Sequence, residues 1–206
     1  MTQSARQRLI DSTIELVRTH GVAGTAVADL LTHSGTARQS IYQHFPGGKT
    51  ELVAEAVRSA GSWIGRMIDE IATTHSVREL LGAFVAYWKW TLERSDYRAG
   101  CPIAAAALSG DEAPEAKENA RESFANWQAR LVTLAVAQGM PEPAADALAT
   151  TVVAAVEGAV MLCLATRSTD PLTRVHGQLD ELIRFQFAGL RTRPAGDTVP
   201  NETASR

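Results

Sequence analysis

Apolar residues recur at intervals of three and four through almost the whole chain, in stretches filled by Ala, Leu, Glu, Arg and Gln, and β-branched residues rarely alternate with polar ones. That spacing paints one face of a helix, whereas a half-buried strand needs a period of two. The chain is therefore expected to be all-α. Punctuation divides it: Gly21, Ser34-Gly35 and Pro46-Gly47-Gly48 break the first fifty residues into three helices, near 4–20, 26–34 and 37–44. Thr25 is placed to cap the second helix with its hydroxyl. Longer helices follow near 49–73, 76–94, 114–138, 143–167 and 172–190, with a short Ala-rich one at 103–108. We read residues 1–48 as an N-terminal three-helix domain, 49–191 as a C-terminal helical bundle and 192–206, polar and without periodicity, as a disordered tail.

At 206 residues the chain can bury a full core. Its N-terminus, MTQSARQRLIDSTIEL, lacks the apolar segment of a secretory signal. No apolar run is expected to approach the roughly 20 residues that cross a bilayer. The expected location is the cytoplasm, with no membrane partner and with Cys101 and Cys163 as reduced thiols. No metal or other cofactor is expected, because His33 has no second ligand three or four positions away. The net charge of −3 argues weakly against an anionic partner, but its distribution does not: up to Lys49 there are five basic and three acidic residues, a balance of +2, which leaves −5 for the rest. An anionic partner would dock at the N-terminal end.

Two short helices joined by a tight turn at Gly35 have the layout of a helix-turn-helix, with Leu31 and Ile41 as inward anchors and Gly35 supplying the positive φ of the turn. The outward residues of the second helix are Arg38, Gln39, Ser40, Tyr42, Gln43 and His44. Arg and Gln form paired hydrogen bonds with guanine and adenine edges in the major groove, and Ser, Tyr and His reach phosphates or bases. Lys49 opens the next helix, where its charge and the helix N-terminus both favour phosphate. By residue types alone this helix is either a solvated polar surface or a reader of double-stranded DNA. Phe45 is expected in the core; His44 has a structural reading beside its phosphate role.

The run TAVADLLTHSGTARQSIYQHFPGGKTEL, from Thr25 to Leu52, resembles the DNA-binding domain of the TetR family of repressors; Tyr42, His44, Phe45 and Lys49 fall on its characteristic residues. The Pro-Gly-Gly-Lys form, with Gly100-Cys101-Pro102-Ile103 downstream, resembles the LmrA-like subgroup, whose members respond to lipophilic or aromatic compounds. The resemblance implies a homodimeric, ligand-responsive transcriptional repressor and no enzyme. It implies that Thr25 and Lys49 hold phosphates, that Tyr42 and His44 position the helix on the backbone, and that Arg38, Gln39 and Gln43 read bases. Ala37 departs from the Ser or Thr that caps the family's recognition helix, leaving Thr36 as a substitute cap.

In the C-terminal half, Phe84, Tyr87, Trp88 and Trp90 occupy more than one face of their helix, which exceeds one core stripe. They either fill the bundle core or line an effector cavity. The expected cavity residues are Trp63, Met67, Phe84, Tyr87, Trp88, Cys101, Phe124, Trp127 and Met161, whose aromatic and thioether surfaces suit a flat apolar small molecule. The segment ATTVVAAVEGAVMLCLA is apolar over most of its circumference, so its helix must be buried, either within one chain or in a four-helix homodimer interface with the last helix. Glu157, alone in that run, needs a polar partner. Two other readings stand beside the regulator: a redox or enzymatic role for Cys101, with His75 or His176 as base, and a helical adaptor whose apolar hairpin binds another protein.

Overall fold

A computed structural model describes residues 3–192, and side chains from 3 to 189. Its elements are α1 (Ala5–His20), α2 (Val27–Ser34), α3 (Arg38–His44), α4 (Lys49–Ala72), α5 (Val77–Arg94), α6 (Pro102–Ala107), α7 (Pro114–Ala137), α8 (Glu142–Thr166) and α9 (Asp170–Thr192). No strand occurs among the described residues. The expected tail lies outside them, except Thr192, which closes α9.

Local chemistry sets the ends. Ser4 caps α1 by accepting from Gln7 N, and Ser76 and Glu79 form a reciprocal capping box at the start of α5. Proline opens α6 and α7, where its missing N–H costs nothing. Gly35 takes the left-handed conformation, φ 60°, which a side chain would strain and which lets α3 turn away sharply from α2. Two expected caps are corrected. Thr25 does not cap α2; it is fully buried and its hydroxyl donates back to Gly21 O at 2.7 Å, while Ala26 holds the cap position. Thr36 does not cap α3 either: Ala37 does, without a side-chain bond, and the Thr36 hydroxyl pairs with Ser34 Oγ at 2.8 Å.

Two cores result. Leu9, Ile10 and Leu16 of α1, Leu30, Ile41, Phe45, and Leu52 and Ala56 of α4 form the smaller. The N-terminal core thus continues past residue 48 into the first two turns of α4. The larger core fills the bundle of α4 to α9 and reaches back to Val17 and Val22. Helix α4 packs along α7, tied by Asn119 Nδ2 donating to Ala54 O at 2.9 Å, Trp127 Nε1 to Gly61 O at 3.0 Å, and an Arg130–Asp69 ion pair at 2.8 Å. One helix, α4, therefore belongs to both units.

Helix α8 is a correction. At 25 residues it is long and apolar enough to cross a bilayer by length and composition, contrary to the expectation that no run approaches that length. In this fold one face packs against α7 and α9, burying Leu148, Val152, Val156, Val160 and Cys163. On other faces Met161 and Leu162 are 58% and 55% exposed, and on α9 Phe185 is 79% exposed. The helix is thus only partly covered by its own chain.

Candidate DNA-binding surface and ligand cavity

Ile41 and Phe45, both buried, fasten α3 to the small core from one side. The opposite side presents Arg38, Gln39, Tyr42, Gln43 and His44 to solvent, with Tyr42 55% exposed; Ser40 is half-buried at the margin. Lys49 sits at the first position of α4, partly buried, where no side chain caps the helix N-terminus. Unpaired N–H groups there and the partial positive charge of the helix end favour an anion. The structure thus brings the base-reading and phosphate-holding candidates to one end of the molecule. Thr25 is buried with its hydroxyl spent on Gly21, and Thr36, half-buried just before α3, pairs its hydroxyl with Ser34 in the turn.

This surface is braced from behind by α1. Arg8 donates from Nε to Ser34 O at 3.2 Å, holding the turn before α3. Arg6 stacks its guanidinium 5.3 Å over the Phe45 ring and pairs with Glu55 of α4 at 2.8 Å. Burial pushes the Glu55 carboxyl up, but hydrogen bonds from Arg58 and Arg6 outweigh it and leave the group below its usual value.

A contact that sequence reasoning missed joins the two units away from the α4 hinge. Gly100 N donates to Arg18 O at 2.8 Å, and Arg18 Nε donates back to Gly100 O at 3.2 Å. The Gly100-Cys101-Pro102 segment, noticed as a motif, is therefore clasped to the end of α1. Its partner lies 82 positions away, beyond the reach of any local pattern.

Next to the clasp is a cavity of about 260 Å³, walled by α1, α4, α5, α6 and Trp127 of α7. Six expected residues line it: Trp63, Phe84, Tyr87, Trp88, Cys101 and Trp127. The rings of Trp63, Phe84, Tyr87 and Trp88 form a continuous cluster, with centroids 5.3 Å apart for Trp63–Tyr87 and 5.6 Å for Tyr87–Trp88. Trp63, 45% exposed, stands at the mouth. From α1 come Gln7, Asp11, Ile14 and Arg18, none of which was expected. Three expected residues lie elsewhere. Met67 packs against the core, Phe124 packs edge-on to Trp127 and faces a separate hollow beside α6, and Met161 points out of the bundle. A smaller apolar void of about 40 Å³ lies deeper, bounded by Phe84, Trp127, Val152 and Glu157.

Glu157 finds its polar partner in Cys101. Burial pushes the carboxyl up to about 7, only partly offset by the thiol's hydrogen bond. Burial likewise raises the Cys101 thiol well above its ordinary value, and the neighbouring carboxylate raises it further, the opposite of what a nucleophile or redox cysteine needs. A pH dependence follows. In the unfolded chain the carboxyl ionises near 4.5, so between pH 4.5 and 7 the folded state binds more protons; stability therefore falls as pH rises through that window and levels off above it. The effect is bounded at roughly 3 kcal/mol. Thermal melting at pH 5 and pH 8 should show the fall in the native protein and little of it in Glu157→Gln; equal slopes in both would exclude Glu157 as the source.

Comparison with known proteins places this geometry. Residues 9–56 match the family of bacterial regulatory proteins of the tetR type, and residues 78–178 match the C-terminal domain of LmrA/YxaF-like transcriptional regulators. An uncharacterised HTH-type transcriptional regulator of Mycobacterium tuberculosis H37Rv, Rv0196, is 37% identical over 187 residues, covering 88% of this chain and 95% of that protein. The HTH-type regulator LmrA of Bacillus subtilis is 25% identical over 182 residues, covering 87% and 97%. Among solved structures, a TetR transcriptional regulator from Chloroflexus aurantiacus superposes with a TM-score of 0.71 at 28% identity, covering 88% of this chain and 95% of that one. A TetR regulatory protein from Rhodobacter sphaeroides gives 0.77 at 19% identity, covering 86% and 97%, and shows the same fold. These relatives are named as transcriptional regulators, which does not favour a catalytic role for Cys101. With its helix-turn-helix and its helical C-terminal domain both matched, the chain belongs to the TetR family of DNA-binding transcriptional regulators, in its LmrA/YxaF-like branch.

Proposed function

We propose that the protein is a ligand-released repressor: a homodimer that binds operator DNA through two α3 helices and leaves it when a small lipophilic or aromatic molecule enters the 260 Å³ cavity. The observation that carries this reading is that α1, the helix that braces the DNA-reading surface, also forms one wall of the cavity. A ligand there touches the DNA-binding unit directly, without relying on α4 alone. Arg38, Gln39 and Gln43 read bases, Tyr42, His44, Ser40 and Lys49 hold the backbone, and the protein acts where its DNA is, in the cytoplasm. Thr25 and Thr36 are assigned to the turn structure.

Dimerisation is assigned to α8 and α9, where Met161 and Leu162 of α8 and Phe185 of α9 leave apolar side chains exposed that a second copy would cover. A two-fold dimer supplies two recognition helices for half-sites roughly 34 Å apart. Glutamate at Met161 and Phe185 together should convert a micromolar dimer to monomer in sedimentation and abolish tight operator binding while leaving helicity unchanged. A doubly substituted protein that stays dimeric would place the interface elsewhere.

The release mechanism is tested by reciprocity. An effector with a hundredfold preference for the released state weakens DNA binding by at most about 2.7 kcal/mol, and operator must weaken effector binding by the same factor. Equal effector affinity with and without saturating operator would refute this mechanism.

A further inference from the structure

The cavity has two unequal ends. One is aromatic, between Trp63, Phe84 and Trp127; the other, against α1, is polar, with Gln7, Asp11 and Arg18. Trp88 is 2% exposed, and its indole Nε1 is buried with no partner among the described residues. Arg18 Nη2 is likewise buried and unpartnered, although Nε donates to Gly100 O and Nη1 reaches Glu15 at 3.2 Å. Buried donors are normally satisfied, and each one left unmet is destabilising. Two in the lining of one cavity point to a ligand that brings the acceptors.

The acidic groups nearby do not meet this need. Asp11 is exposed and accepts from the Gln3 and Gln7 amides, and Glu15, half exposed, takes the other terminal nitrogen of Arg18. Glu157 is engaged by Cys101. Two unmet N–H donors on side chains that line one cavity match the two oxygens of a carboxylate, and the surrounding rings match a flat hydrocarbon body.

We propose that the cavity takes a planar aromatic carboxylate, its ring system among Trp63, Phe84 and Trp127 and its carboxylate oxygens accepting from Arg18 Nη2 and Trp88 Nε1. This rests on the reading of the cavity as the effector site and adds the polar end that fixes the ligand's class and orientation. It also makes Arg18 the sensor. The side chain that holds the carboxylate is the one clasped to Gly100, so occupancy redirects the guanidinium and loosens the tie between α1 and the α6 segment.

The test uses three probes of one shape: 2-naphthoate, 2-acetylnaphthalene and 2-isopropylnaphthalene, titrated into the full chain by calorimetry, with binding to its own upstream DNA followed in parallel. The naphthoate is expected to bind at least tenfold more tightly than the ketone and more tightly still than the hydrocarbon. Trp88→Phe and Arg18→Met should each reduce that preference at least fivefold. Trp88→Phe keeps the packing, so the result does not hinge on whether Arg18→Met folds. Equal affinity for all three probes, or a preference untouched in Trp88→Phe, overturns the carboxylate assignment; if those probes still release DNA, the effector-site reading stands. If none of them binds, the carboxylate assignment falls. If the naphthoate binds with the expected preference and the DNA complex is unaffected, the carboxylate assignment stands and the effector-site reading fails.

Discussion

Alanine at Arg38 is expected to weaken operator binding and, at the same time, to relax discrimination at one base pair of each half-site. A bidentate arginine–guanine contact contributes about 1–3 kcal/mol. A symmetric dimer loses it twice, so affinity should drop roughly 30-fold to 10⁴-fold with little change in non-specific binding. Lys49→Ala should behave differently. Its role is with phosphate, so affinity should fall by a similar factor on all sequences, and the salt dependence should flatten by about one unit of slope per lost contact. Tyr42→Ala, which removes a ring exposed beside these residues, should follow the Lys49 pattern. Anisotropy titrations on operator and scrambled DNA at two salt concentrations separate the cases. Should Arg38→Ala weaken both DNAs equally, α3 would be holding the backbone and base reading would have to come from other residues.

The second large effect concerns the α4–α7 seam. Gly61 lies so close to α7 that a Cβ added there would stand 2.8 Å from Ser123 Cβ, nearer still to its hydroxyl, and 3.6 Å from Ile103 Cδ1. The neighbour is a short side chain on a packed helix, with its hydroxyl donating to Asn119 O at 2.7 Å, so it cannot swing aside. Mid-helix glycine costs about 1 kcal/mol against alanine, a loss that close packing with α7 offsets. Gly61→Ala should still destabilise, by about 1–2 kcal/mol, because overpacking exceeds the gain in helix propensity. Gly61→Val, which adds bulk and no helix propensity, should cost about 3 kcal/mol or more. Each kcal/mol lowers the Tm of a chain this size by roughly 2–4 °C. Adding Ser123→Gly to Gly61→Ala should recover most of the loss, a coupling of at least about 1 kcal/mol in a double-mutant cycle. Independent effects would mean that the helices part without strain. Because α4 carries Leu52 and Ala56 into the small core, a forced shift of the seam should also disturb operator binding.

Helix limits were legible wherever a residue acts alone. Gly21, Gly35 and the Pro46-Gly47-Gly48 break end helices by their own backbone preferences, and Ser76 starts α5 with Glu79 three positions on. The outward face of α3 was equally readable, since Ile41 and Phe45 fix which side is buried. What failed needed three dimensions. Thr25 has the same hydroxyl whether it caps forward or bonds back to Gly21 O. Met161 was misplaced because α8 is apolar all round, so periodicity selects no inner face. Arg18 was passed over because its partner, Gly100, is far along the chain and its cavity is assembled from five helices. The aromatic members of that cavity were found because Trp and Tyr are large enough to mark a helix face by themselves.

The most direct test of the account is binding of the wild-type protein to DNA from upstream of its own gene, measured against scrambled DNA at 50 and 200 mM salt with stoichiometry determined at saturation. The account predicts dimeric occupancy of a two-fold site, at least about 10³-fold tighter than binding to scrambled DNA, with affinity falling steeply as salt rises. Weak binding that ignores sequence would contradict it and would leave the helix-turn-helix as a structural unit.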